Sequence, residues 1–219
     1  MAKIIVVFNQ KGGCGKTTVA MNIAASLAVQ HKMKVMVVDG DPQGTASRWT
    51  ALADENKLFP ASIVGMAHIK TKAHQEIKKF KDDYDFIVVD CPPNIESSFS
   101  DSALLIADLA IIPVIPSPND LFSSSAAEFI INRVTEFNPD LKAMILLNSS
   151  QPNLTMTTDI ISTLDDMFSN NTISIFKTQI CQRTSYRQAV LKGGSVFDLK
   201  DEKSKQEITN LVNEIISLL

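Results

Sequence analysis

The stretch Ile4-Ile5-Val6-Val7-Phe8, followed two residues later by Lys11-Gly12-Gly13-Cys14-Gly15-Lys16-Thr17-Thr18, decides how the rest of the chain is read. Five apolar residues in a row, without polar alternation, are the pattern of a strand covered on both faces. The glycines end it abruptly, and helical spacing takes over at residues 18–30. Working outward, short apolar runs recur at 35–38, 86–89, 109–114 and 143–147, with a candidate sixth at 173–180. Helical patterns at 70–80, 100–106, 120–137, 157–168, 183–191 and 201–218 separate or follow them. Fully apolar strands alternating with helices predict an α/β fold: a mostly parallel sheet wound by helices on both faces, as a single domain over 1–219.

Composition agrees and excludes several classes. The chain has 219 residues, 45% hydrophobic and 21% charged, with a formal net charge of −3. This suits a globular domain rather than a basic nucleic-acid binder, although a local basic face stays open. Cys14, Cys91 and Cys181 form no CxxC pair, so the reading is a reduced, cytoplasmic protein. Cys14 lies within the glycine loop, leaving no pair of cysteines suited to a bridging iron–sulfur cluster. The N-terminal apolar run is too short for a signal peptide. No stretch approaches the roughly 20 apolar residues needed to cross a bilayer.

In open α/β sheets, ligands sit outside the carboxyl ends of the strands. Three groups of polar residues fall there. The glycine loop follows the first strand. Its backbone N–H groups can close on phosphate oxygens without interference from Cβ atoms, and the helix beginning near Thr17 adds its positive end. Lys16 is placed to reach the β- and γ-phosphates of a nucleotide and the Thr17 hydroxyl to ligate Mg²⁺. The strict pattern GxxxxGK[ST] fails at its first position, which is Gln10; a second lysine, Lys11, precedes the glycines. Asp39-Gly40-Asp41-Pro42-Gln43 ends the second strand. Alternate residues of an extended segment point the same way, so Asp39 and Asp41 are both candidates to face the phosphates, one holding a water of the Mg²⁺ shell and the other orienting the attacking water. Asp90, closing the run before Cys91-Pro92-Pro93, has the position of a carboxylate bound to Mg²⁺ through water. Cys91 reads as packed rather than reactive.

These three motifs together resemble the deviant Walker A ATPases of the ParA/MinD family, and the resemblance runs from Lys3 to the C-terminal helix. Lys11 matches the family's signature lysine, which implies a homodimer, with a polymer left open, in which Lys11 reaches the partner's phosphates. Asp39 to Gln43 is similar to the DxDPQ switch I segment of partition proteins, and Asp90-Cys91-Pro92-Pro93 to switch II. No DNA-binding extension precedes the first strand, which with Trp49 and the loop Pro113 to Asp120 is similar to the short, ParF-like subgroup. The resemblance implies ATP/ADP and Mg²⁺ as cofactors. Lys11, Lys16 and Asp41 are then expected to be catalytic. Thr17, Asp39 and Asp90 are expected at the metal. Lys11, Gly12, Gly13, Cys14, Gly15, Lys16, Thr17 and Thr18 are expected around the nucleotide, with Pro116 and Asn148 near its base.

The resemblance further implies a DNA-segregating ATPase working with a ParB-like centromere-binding protein and associated with the nucleoid when ATP is bound. Between residues 176 and 205 seven basic residues face three acidic ones, so Arg183, Arg187 and Lys192 are candidates for nonspecific contact with DNA phosphates. Arg183 has a second reading, as part of the nucleotide pocket or dimer interface. The alternative function is a MinD-like positioning switch on a membrane or protein assembly. The C-terminal helix speaks against the membrane. Its apolar stripe Ile208, Leu211, Val212, Ile215 and Ile216 is not flanked by the lysines and arginines that surface-lying helices favour, so it is expected on the core.

Overall fold

A computed structural model describes residues 1–93, 98–151, 160, 162–164, 168 and 173–219, with the backbone alone at 118–125. Seven strands, β1 (Lys3–Val7), β2 (Val35–Asp39), β3 (Ser62–Gly65), β4 (Phe86–Asp90), β5 (Leu109–Val114), β6 (Lys142–Leu147) and β7 (Ser174–Ile175), form one sheet. Its order is β3-β2-β4-β1-β5-β6-β7. Every pairing is parallel. Around it lie α1 (Lys16–Val29), α2 (Thr45–Thr50), α3 (Ala73–Lys78), α4 (Ser98–Leu104), α5 (Pro118–Thr135), α6 (Thr184–Leu191) and α7 (Glu202–Leu218).

Strand alternation divides the core in two. Ile4, Val6 and Phe8 of the first strand and its extension pack with α3, α4 and α5 on one face. Ile5 and Val7 pack with α1, α2, α6 and α7 on the other. Helix α1 is buried almost all round, from Lys16 to Leu27, because α7 covers its outer side. That is where the C-terminal stripe goes: Ile208, Leu211, Val212 and Ile215 are at most 1% exposed, and Ile216 packs partly buried at their edge. The expected core packing of this helix is what the structure shows.

Several boundaries depart from expectation. The edge strand β3 and the short helix α2 were not anticipated. The former is half-exposed along its length and has no continuous apolar run. The latter is six residues long and starts from Gly44 in the left-handed region (φ 62°). The helix expected at 70–80 is broken: residues 67–72 form a 3₁₀ stretch with Lys70 at φ 51°, and only Ala73–Lys78 is α-helical. The run expected as a strand over 173–180 meets the end of β6 again at Ile180, whose N–H donates to Leu147 O at 2.9 Å, but it pairs continuously only over the two residues of β7. Past it, the Glu214 carboxylate on α7 takes the N–H groups of Lys177 and Thr178 at 2.8 and 3.1 Å, drawing the chain away from the sheet. Most of the helix expected at 157–168 lies outside the described residues.

Candidate functional site

The carboxyl ends of β1, β2 and β4 meet in the middle of the sheet, where Asp90 is aligned with Val7 on one side and Asp39 on the other. The glycine loop leaves β1 there. Gly13 and Gly15 hold φ of 79° and 91°, a region L-residues rarely enter. Gly15 is needed for a second reason. A Cβ on it would lie 2.1 Å from Asn148 Nδ2, which reaches across from the end of β6 to donate to Cys14 O at 2.7 Å. Asn148 therefore fastens the loop to the sheet. That job was not foreseen from its sequence position, where contact with an adenine edge was expected.

Lys16 is 7% exposed, and its ammonium donates to Lys11 O at 2.9 Å. Cys14 is buried, with Sγ 3.8 Å from that ammonium. Cys91 is packed as expected, and burial pushes its thiol up to about 12. Asn9 was missed by sequence reasoning. It is 2% exposed at the loop entrance, donating to Pro113 O at 2.7 Å and accepting from Lys11 N at 3.1 Å. A lone polar residue between an apolar strand and a glycine loop was the available signal.

The two strand-ending carboxylates differ. Asp39 Oδ2 accepts from both Ser47 N and Ser47 Oγ at 2.9 Å, and Oδ1 accepts from Asp41 N at 3.2 Å. It thereby ties the switch-like loop to the first turn of α2. Asp41 sits within that loop, half-buried, with Oδ1 accepting from Gln43 N at 2.8 Å. Asp90 is 0% exposed and neither oxygen has a hydrogen-bond partner. Burial raises its carboxyl to about 7, offset in part by the nearby Thr17 hydroxyl and opposed further by the charge of Asp39. An unpartnered, fully buried carboxylate beside a hydroxyl and a phosphate-type loop is an oxygen donor set that fits Mg²⁺ shared with a phosphate tail. Among the described residues no three His, Cys, Asp or Glu side chains gather to hold a metal by themselves.

Next to the loop opens a cleft of about 240 Å³, lined by Gly13, Gly15, Thr18, Asn148, Arg183 and Tyr186 among others. Pro116, half-buried just beyond β5, is not among its lining residues. Arg183 lines this cleft together with Arg187, whereas Lys192 lies outside it. Arg183 Nε and Nη2 donate to Glu207 at 2.9 and 2.6 Å, and that hydrogen bond raises its already high pKa. Glu207 also accepts from Tyr186 at 3.0 Å. It lies just past the basic window, as does Glu214, which is why the sequence count overstated the positive charge. Lys205 pairs with Glu202 as well. Arg187, Lys192, Lys200 and Lys203 remain exposed.

Comparison with known proteins agrees with this geometry. The AAA domain family profile matches residues 2–74 and 57–147. The maintenance of carboxysome distribution protein A of Halothiobacillus neapolitanus is 34% identical over 97% of this chain and 95% of its own. The sporulation initiation inhibitor protein Soj of Bacillus subtilis is 31% identical over 52% of this chain and 58% of its own. Among solved structures, apo McdA of Cyanothece superposes with a TM-score of 0.80 at 16% identity, covering 98% of this chain and 100% of that one. MinD of Pyrococcus horikoshii, solved with Mg-ADP, reaches 0.73 at 22% identity, covering 98% and 96%. The relatives in sequence and in fold coincide with the motifs: this chain is a member of the AAA domain family, on its ParA/MinD branch of deviant Walker A P-loop ATPases.

Proposed function

We propose that the chain is a Mg-ATP-dependent positioning ATPase that dimerises on ATP and is reset by hydrolysis. The observation that carries this is Asp90, buried and without a partner beside Thr17 at the mouth of the glycine loop. Lys16 and Thr17 bind the β- and γ-phosphates. Bound Mg²⁺ supplies charge neutralisation across those phosphates. Asp90, and Asp39 through the loop it holds, keep that region oriented. Asp41 polarises the attacking water. Lys11 supplies positive charge to the nucleotide of a second copy, so turnover depends on dimerisation. The cleft with Asn148, Arg183 and Tyr186 takes the nucleoside.

The exposed cations Arg187, Lys192, Lys200 and Lys203 suit nonspecific contact with DNA phosphates by the ATP-bound dimer, with a second protein stimulating hydrolysis. Two cargoes compete. A centromere complex is the partition reading, in keeping with Soj-like relatives. A large protein assembly is favoured by the relative that matches nearly the whole chain, which is named for carboxysome distribution. The buried stripe of α7 argues against a surface-lying helix, and no helix among the described residues is long and apolar enough to cross a membrane.

The test is steady-state hydrolysis with Mg²⁺, alone and with nonspecific duplex DNA or anionic vesicles. Lys11→Ala is expected to bind ADP but lose turnover. Wild-type turnover in that variant would remove the trans-acting lysine. Stimulation by vesicles and not by DNA would replace the DNA track with a membrane.

A further inference from the structure

At the entrance to the glycine loop a side chain takes the place of backbone. Phe8 N donates to Ile111 O at 3.0 Å as the last rung between β1 and β5. In a parallel ladder the next rungs would be Pro113 N to Phe8 O and Gln10 N to Pro113 O. Pro113 has no N–H, so the ladder loses its first continuation at this step. Asn9 supplies the second. Its Nδ2 donates to Pro113 O at 2.7 Å, and its Oδ1 accepts from Lys11 N at 3.1 Å. The amide can point only one way here, since a carbonyl cannot donate and an amide N–H cannot accept. The backbone is thus released to turn while Lys11 stays tied to the neighbouring strand β5. The other backbone group of Lys11 is held too, its carbonyl accepting from Lys16 Nζ at 2.9 Å and from Cys14 Sγ at 3.2 Å.

The two ends of the loop are therefore pinned by two buried asparagines from different directions. Asn148 holds Cys14 O, at the phosphate-binding end. Asn9 holds Lys11 N, at the other. A defect at Asn148 is expected in nucleotide affinity. A defect at Asn9 falls on the residue that serves a second copy.

We propose that Asn9 is a positioning residue for Lys11: its carboxamide fixes the backbone from which the Lys11 side chain reaches the phosphates of a second subunit, and so controls turnover in the dimer rather than nucleotide binding. This rests on the trans-acting reading of Lys11. A side chain anchored on a fixed backbone loses less freedom when it docks, and small misplacements of a charge at the reacting phosphate are costly.

The experiment compares the full chain with Asn9→Ala, Lys11→Ala and the double variant, measuring ADP affinity by calorimetry and Mg-ATP turnover. Asn9→Ala is expected to keep ADP affinity within about twofold and to lower turnover about ten- to a hundredfold. In the Lys11→Ala background it is expected to cost nothing further, because the two act as one unit. Asn9→Asp keeps the acceptor for Lys11 N and loses the donor to Pro113 O; it carries the same test should the alanine variant fail to fold. Unchanged turnover in the Asn9 variants, loss of ADP affinity in parallel with turnover, or an additive loss in the double variant overturns the proposal while the lysine reading stands. Wild-type turnover in Lys11→Ala overturns the lysine reading and the proposal with it.

Discussion

The ends of β2 and β4 are neighbours in register, Asp39 opposite Asp90, and both follow the same kind of apolar run. Both aspartates are essentially excluded from water, at 1% and 0% exposure. Yet one accepts three hydrogen bonds and the other none. Asp39 acts inside the protein, fastening the loop of Asp41 to the start of α2. Asp90 has the Thr17 hydroxyl near it, but neither of its oxygens is held in a hydrogen bond. A buried carboxylate without partners costs several times what a typical hydrogen bond returns, so it persists where something outside the chain is to be bound. The difference separates a carboxylate that builds the site from one held ready for its ligand.

That contrast can be broken in three ways. The largest effect is expected from Asp90→Asn: Mg-dependent hydrolysis should fall about 10²- to 10³-fold. Without Mg²⁺ the same variant should melt higher, by roughly 1–2 kcal/mol, because a neutral amide is cheaper to bury than an unpaired charge. Melting by fluorimetry in chelator checks this; a lower melting temperature would mean that Asp90 is a structural carboxylate like its neighbour. Asp39→Ala should behave in the opposite sense, losing about 2–4 kcal/mol of stability with or without Mg²⁺, since a charged acceptor of three hydrogen bonds is removed. Urea unfolding measures it, and an unchanged midpoint would dissolve the contrast. The smallest effect belongs to Ser47→Ala, about 0.5–1 kcal/mol, because Ser47 N still donates to Asp39. Should Ser47→Ala match Asp39→Ala, the hydroxyl rather than the α2 backbone would be what Asp39 holds.

Much of this arrangement was legible in residue order, for reasons that are local. The strands buried on both faces advertise themselves as unbroken apolar runs, and the glycines at 13 and 15 mark positive φ. The elements that escaped lack such signals. Strand β3 sits at an edge with half-exposed side chains, and α2 is too short for a helical period to register. The 173–180 run looks like a strand because it is apolar, but Glu214, over thirty residues later, captures its backbone. Arg183 leaves two readings open, a DNA contact and a pocket or interface residue, and its pairing with Glu207 is visible only across the fold. Asn148 reads as a base contact, and what residue order does not show is that its amide also holds a loop more than a hundred residues away in sequence.

What the sequence determined by itself was the sheet, the phosphate loop, the acidic strand ends and the lysine that marks the branch of the family. Each depends on side-chain pattern over a few neighbouring residues, where backbone sterics and burial act directly. Only the tertiary structure decided which polar groups are satisfied: that Asp39 is spoken for and Asp90 is not, that Asn9 completes a ladder Pro113 interrupts, that Arg183 belongs to a cleft. Hydrogen-bond satisfaction is a property of partners brought together from distant parts of the chain, so it exists only once the strands have been laid side by side.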